Sequence, residues 1–209
     1  MTLQNVLRAL LLAGLVPGFV VAQQNSETKM TTFTKSVQEE TLGNYQRAIQ
    51  TIQELSKDYA DDYLVQLRLG WLYYNARDYE KSTRHYREAI RISNNSIEAL
   101  LGITLPYAAD KKWDKVESIY KDILERDKQN YTANLRLGQI YFNAGNHVTA
   151  KTFFERVYEN YPGDFEANLY LGWTYYNLGS ASKAHRLFVN ALILTPGSTS
   201  ALEGYRLTK

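Results

Sequence analysis

The side chains of this chain most able to do chemistry are its histidines, its acids and its rings, and their spacing favours recognition over bond making. The three histidines, His85, His147 and His185, fall on three different columns of a repeating pattern, so no pair or triad shares a point by symmetry. Cys is absent, and neither a His-x-x-x-His spacing nor a clustered His/Asp pattern occurs, so neither a zinc nor a thiol site is supported. The stretch from Asn143-Ala144-Gly145-Asn146 to Lys151 lacks the second Gly and the Gly-Lys-Ser/Thr end of a phosphate loop. Asp110, Asp114 and Glu117 fall on turn or second-helix surfaces and read as solvated. No catalytic residue, metal or cofactor is expected, and the chain does not read as an enzyme. What remains is non-covalent: Trp71 and Trp173 stand at equivalent places, and Asn75, Asn143 and Asn177 share one column.

Those columns come from four contiguous stretches of 34 residues, 63–96, 97–130, 131–164 and 165–198. Leu69, Ile103, Leu137 and Leu171 align, as do Tyr73, Tyr107, Tyr141 and Tyr175, and Tyr86, Tyr120, Phe154 and Phe188. In the first stretch Leu64, Leu67, Trp71 and Tyr74 recur at helical spacing beside Leu69 and Tyr73, so one helix presents two apolar faces. After Asn75-Ala76-Arg77-Asp78, a second helix begins with Tyr79, Ser82, Tyr86, Ala89 and Ile90 on its main stripe. The turn carries Gly145 and Gly179 in two repeats, where a residue without Cβ takes positive φ, and Arg77 and Lys111 in the others. Gly70, Gly138 and Gly172, with Ala89, Ala150, Ala184 and Ala191, let the paired helices approach closely. Pro162 and Pro196 stop second helices. Pro106 lies inside a first helix, where its missing N–H predicts a kink with Gly102 leaving room at the bend.

The ends are read differently. Residues 1–22 carry Arg8 as their only charge, an apolar run from Ala9 to Val21 and a small residue, Ala22, before Gln23-Gln24, the pattern of a secretory signal peptide cleaved after Ala22. The competing reading is an uncleaved anchor, but a span needs roughly 20 apolar residues and Pro17-Gly18 interrupts this run. An exported, periplasmic or extracellular protein is expected. The formal net charge of +2 falls to +1 without Arg8, which argues against a dedicated nucleic-acid binder. Residues 23–62 read as a linker and a degenerate repeat, its first helix from Lys29 to Thr41 and its second holding Ala48, Ile52 and Leu55. Residues 199–209 read as a capping helix.

The whole pattern resembles the tetratricopeptide repeat family, from Tyr63 to Ser198. Its leucine-glycine pair is met by Leu69-Gly70, Leu137-Gly138 and Leu171-Gly172, and its closing proline by Pro162 and Pro196. The second repeat departs, with Thr104 for the glycine, Val116 for the alanine and Lys128 for the proline. The resemblance implies an all-α solenoid of antiparallel helix pairs whose first helices line a concave groove. Groove residues would then include Leu67, Trp71, Tyr74, Asn75, Leu105, Arg136, Gln139, Phe142, Asn143, Trp173, Tyr176 and Asn177. Aromatic anchors with amide and guanidinium partners suit an extended peptide or a partner helix. The alternative is that these rings pack on neighbouring first helices, and that the asparagines finish helix ends. The carboxylate clamp of the family's chaperone-tail binders is not matched, since Leu67, Trp71 and Gly102 stand in its place.

The function expected is a non-catalytic adaptor or scaffold binding a protein or peptide. Two other readings remain: a structural subunit of a membrane-associated secretion, outer-membrane or polysaccharide complex, and a glycan or small-ligand binder stacking sugars on the groove tryptophans. Self-association is a further expectation, because a short stack leaves an apolar end.

Overall fold

A computed structural model describes residues 16–56 and 59–209, with side chains from Asn25 onward, Ser56 excepted. The first fifteen residues of the expected signal peptide lie outside the described residues. All regular structure among the described residues is helical: α1 (Val16–Thr41), α2 (Tyr45–Ser56), α3 (Tyr63–Asn75), α4 (Tyr79–Ile92), α5 (Ile97–Ala109), α6 (Trp113–Arg126), α7 (Tyr131–Asn143), α8 (His147–Asn160), α9 (Phe165–Asn177), α10 (Ala181–Leu194) and α11 (Thr199–Leu207). The all-α fold of stacked helix pairs expected from the period is the one observed. Helix α1 begins well before Lys29, because nothing between Gln23 and Thr41 is Gly or Pro, and Pro17 sits in the first turn, where its missing N–H is harmless. Ala22 therefore lies within a helical backbone.

The chain divides into two compact units, Met1–Asp110 and Lys111–Lys209. In the first, α4 packs against α3 and α5, and α3 against α2. Ile49, Ile52, Val65, Leu69 and Leu72 form its core with Tyr73. In the second, α8 packs between α7 and α9, and α10 against α9 and α11. Leu135, Phe154, Val157, Leu171 and Leu187 share one cluster there. The leucine column is inside throughout: Leu69, Leu137 and Leu171 are at most 2 % exposed.

The helix pairs close on rings seated against glycine. A Cβ on Gly70 would lie 2.8 Å from the Tyr86 ring, and one on Gly102 2.3 Å from the same ring. Phe188 is held in the same way between Gly172 and Gly204, at 2.9 and 2.3 Å from a Cβ on each. One aromatic on a second helix is thus clamped by the first helix before it and the first helix after it. Burying such a ring stabilises by about 1.5–3 kcal/mol. The room beside Gly102 is therefore filled by Tyr86 and leaves no opening at Pro106. Helix α5 continues past Pro106 to Ala109, and the Asp110 N–H returns to the Pro106 carbonyl at 3.0 Å.

Five first helices start on a side chain at one place in the period. Asp62, Ser96, Asn130, Asp164 and Ser198 each accept a bond from the backbone N–H three residues on. Each such cap is worth about 1 kcal/mol. The turns within pairs use the left-handed region at Gly145 and Gly179 (φ +76°), and at Arg77 (+62°) and Lys111 (+57°) as well. Gly43 (+75°) does the same between α1 and α2, so the geometry is common to five turns, two of which carry a side chain that strains it.

Two stability predictions follow from this packing, both read by urea unfolding. Lys111→Gly should raise stability by about 0.5–1 kcal/mol, because strain of roughly 1–2 kcal/mol is relieved while unfolded-state freedom increases. Gly204→Ala should cost about 1–3 kcal/mol, since the Phe188 ring has nowhere to retreat.

Candidate functional site

The first-helix residues divide between the two units. In the first unit Trp71 is 38 % exposed, and its Nε1–H donates to Glu40 Oε1 on α1. Glu40 also pairs with Arg68 through its other oxygen, and Arg68 donates to Ser36 Oγ at 3.2 Å. The indole is thus the outer member of a polar strap joining α1 to α3. Tyr74 lies between Trp71 and Tyr79, with ring centroids 6.1 and 6.0 Å away. Leu67 and Leu105 are half-buried. Asn75 donates its amide to the Trp71 carbonyl at 2.9 Å.

In the second unit Trp173 turns the other way. Its ring packs edge-on against Phe188 at 5.0 Å and Tyr176 at 5.7 Å, while Nε1–H donates to Ser200 Oγ on α11 at 2.9 Å. Trp71 and Trp173 share a column but not a neighbour: the first is tied to the preceding first helix, the second to the following one. Asn177 donates to the Trp173 carbonyl at 2.8 Å, as Asn75 does to that of Trp71. These amides finish their own helix ends. Asn143, third in the column, is exposed. Phe142 meets His147 and Tyr170 edge-on at 5.1 and 6.1 Å.

The polar members of the second unit form a chain. Arg136 Nη1 donates to Gln139 Oε1 at 2.8 Å, and Gln139 Nε2 donates to Glu166 Oε1 at 3.3 Å. Arg136 also approaches Glu166 at 3.9 Å, with both side chains more than two-fifths exposed. The face thus offers a guanidinium, an amide and a carboxylate in sequence, the donor and acceptor set a peptide backbone can use. Among the described residues no group of three His, Cys, Asp or Glu is placed to hold a metal, and no helix is long and apolar enough to cross a membrane.

Sequence reasoning missed what the tyrosine column does with its hydroxyls. Tyr73 and Tyr107 accept from Gln53 and Arg87 at 2.9 Å, and Tyr141 and Tyr175 donate to Glu117 and Glu155 at 2.6 Å. Every partner stands on the preceding second helix. Burial and then Glu155 push the Tyr175 phenol up to about 12. The signal was present as a polar residue twenty places before each of the four tyrosines, although at Tyr141 that residue, Lys121, pairs with Glu117, which takes the hydroxyl.

His85 belongs to this layer. Its ring stacks on Tyr73 at 5.2 Å with 4° between planes, and Nδ1–H donates to Gln66 Oε1 at 2.7 Å. Gln66 in turn donates to the Ala60 carbonyl at 2.7 Å, which leaves its oxygen to accept from the histidine. Burial, with Arg84 adding to it, lowers the His85 pKa to about 4. The histidine is a neutral packing residue.

A fold built from two-helix hairpins stacked through ring-on-glycine contacts, with a polar and aromatic first-helix face, defines a helical repeat protein. Two models of the tetratricopeptide repeat match parts of the chain, residues 39–97 and 132–164. No curated protein matches the sequence. Among solved structures, the crystal structure of MamA superposes with a TM-score of 0.67 at 19 % identity, over 82 % of this chain and 93 % of that one. YrrB, described as a TPR protein with an unusual peptide-binding site, superposes with a TM-score of 0.66 at 16 % identity, over 90 % and 97 %. A tetratricopeptide repeat protein from Parabacteroides merdae ATCC 43184 gives 0.73 at 16 % identity, over 87 % and 72 %. At these identities the likeness establishes the fold alone.

The depressed His85 pKa predicts a pH dependence. Between about 4 and the unfolded value of 6.5 the unfolded chain binds the proton and the folded chain does not. Stability is therefore fully present above pH 6.5 and falls as the pH drops towards 4. Urea midpoints across that window should fall for the wild type and fall less for His85→Phe, which keeps the stack but cannot titrate.

Proposed function

We propose that the chain is a non-catalytic adaptor that holds a peptide or partner protein on the faces of its first helices. The observation that carries this reading is the half-exposed Arg136–Gln139–Glu166 chain on the same first helices, α7 and α9, that carry the Phe142, Trp173 and Tyr176 rings. Hydrogen-bonding groups that turn outward next to rigid aromatics are what a docked segment needs. YrrB, which has a similar fold and is described as having an unusual peptide-binding site, supports the same use. The first unit by itself presents an apolar first-helix face of Trp71, Tyr74, Leu67 and Leu105, with the indole held by Glu40.

The glycan reading is weaker. Both indole N–H groups are committed, and Trp173 rests on Phe188, so the two tryptophans do not offer a matched pair of free faces. The signal-like residues 1–22 support export, with the adaptor working in the periplasm or outside the cell, either free or as part of a membrane-associated complex. N-terminal sequencing of the mature protein should begin at Gln23, and a chain that retains Met1 would remove the export reading.

The groove reading is tested by crosslinking and pull-down from the native envelope. Arg136→Glu should reduce capture of the partner about tenfold or more, as loss of a central arginine does at an interface, and Trp71→Ala should weaken it also. Unchanged capture by both variants would show that the first-helix faces are not the binding surface.

A further inference from the structure

The layer of tyrosines is covered in two repeats and bare in the last. In the first unit His85 stacks on Tyr73, and in the second Phe153 stacks on Tyr141 at 5.7 Å with 5° between planes. Arg156 then lies over the Phe153 ring, its guanidinium carbon 5.6 Å from the centroid. The last repeat keeps the tyrosine, Tyr175, but has Leu187 where the first and third have His85 and Phe153, and Asn190 where the third has Arg156. The second repeat, with Ile119 and Asp122 at these two positions, lacks the ring and the cation as well.

The space shows. A cleft of about 630 Å3 opens between α8 and α10 over α9, lined by Tyr158, Tyr175, Leu187 and Asn190. That volume lies within the roughly 300–1,000 Å3 of sites that take a ligand. Its walls differ in charge: Glu155 and Glu159 line it from α8, Lys183 and Arg186 from α10. Lys183 Nζ lies 5.0 Å from the Tyr175 ring centroid. It does not exclude a stacked ring, because Lys81 holds the same place over Tyr73 at 5.3 Å while His85 stacks there too.

We infer that this second-helix cleft is a docking site, separate from the first-helix faces, for a partner-protein segment that presents an aromatic residue with an arginine or lysine three residues after it. The aromatic ring stacks on Tyr175 as Phe153 stacks on Tyr141. The cation covers that ring and faces the acidic α8 wall, where Glu159 is exposed and Glu155 already accepts from Tyr175. The spacing is that of Phe153 and Arg156, so the segment binds as a short helix or turn.

The test uses a lactam-bridged helical peptide carrying Phe and Arg at that spacing, titrated by calorimetry against the full chain, with Phe→Ala and Arg→Ala peptides alongside. The parent peptide should bind at least tenfold more tightly than either. Leu187→Phe with Asn190→Arg, which rebuilds the missing pair within the chain, should raise the unfolding midpoint and weaken the peptide about tenfold or more. Should the rebuilt core fail to fold by circular dichroism, Glu159→Arg at the exposed rim replaces it and should weaken the peptide by a similar factor. Equal binding of the three peptides, or binding unchanged in a folded variant, would overturn the proposal.

Discussion

The contact on which the rest of this molecule depends is that of a second-helix ring with the bare backbone of two first helices. Tyr86 between Gly70 and Gly102, and Phe188 between Gly172 and Gly204, are fastened on both sides by residues that have no side chain to push back. The contact couples one hairpin to the next through a single side chain. A ring that is buried in this way cannot be satisfied by its own repeat, so a hairpin in isolation leaves its apolar surface in water. Cooperativity between neighbours follows from that geometry more than from helix propensity, which contributes little to helices of thirteen or fourteen residues.

Around these rings polar side chains tie neighbouring segments together, although Asn134 Oδ1, Asn168 Oδ1 and His147 Nδ1 are buried without a partner. The tyrosine hydroxyls reach the preceding second helix, Asn134 and Asn168 tie the loop carbonyls of Lys128 and Pro162, and the capping side chains meet the first N–H groups of each first helix. The proposed binding surfaces are what stacking leaves over. On the first helices this is the Arg136–Gln139–Glu166 chain and the Trp71–Tyr74 rings. On the second helices it is the cleft at Tyr175, acidic on its α8 wall and basic on its α10 wall. Two surfaces on opposite helices of the same hairpins would let one short chain hold two partners, the behaviour expected of an adaptor.

Much of this was legible before any coordinates. The leucine column, the small residues and the ring column were read at their places in the period, and Leu69, Leu137 and Leu171 are buried as their spacing requires. Helix ends were legible in part: glycine announced two turns, but Arg77 and Lys111 adopt the same left-handed backbone because the hairpin demands it. The capping column at Asp62, Ser96, Asn130, Asp164 and Ser198 was visible and unread. Pro106 read as a bend with free space, and Tyr86 occupies that space. Trp71 and Trp173 read as a matched pair, yet one indole reaches α1 and the other α11.

What the sequence determined by itself was periodicity, and with it the helices, their pairing and the identity of the faces turned inward, because burial of apolar area acts on every repeat alike. What only the tertiary structure decided was the neighbour each side chain meets. An indole, a carboxamide or a phenol can reach the hairpin before it or the one after it, and the choice depends on which hydrogen-bond partner and which void stand there. The same is true of the missing ring above Tyr175: Leu187 is an ordinary core leucine until the equivalent positions, filled by His85 and Phe153, show what its repeat lacks.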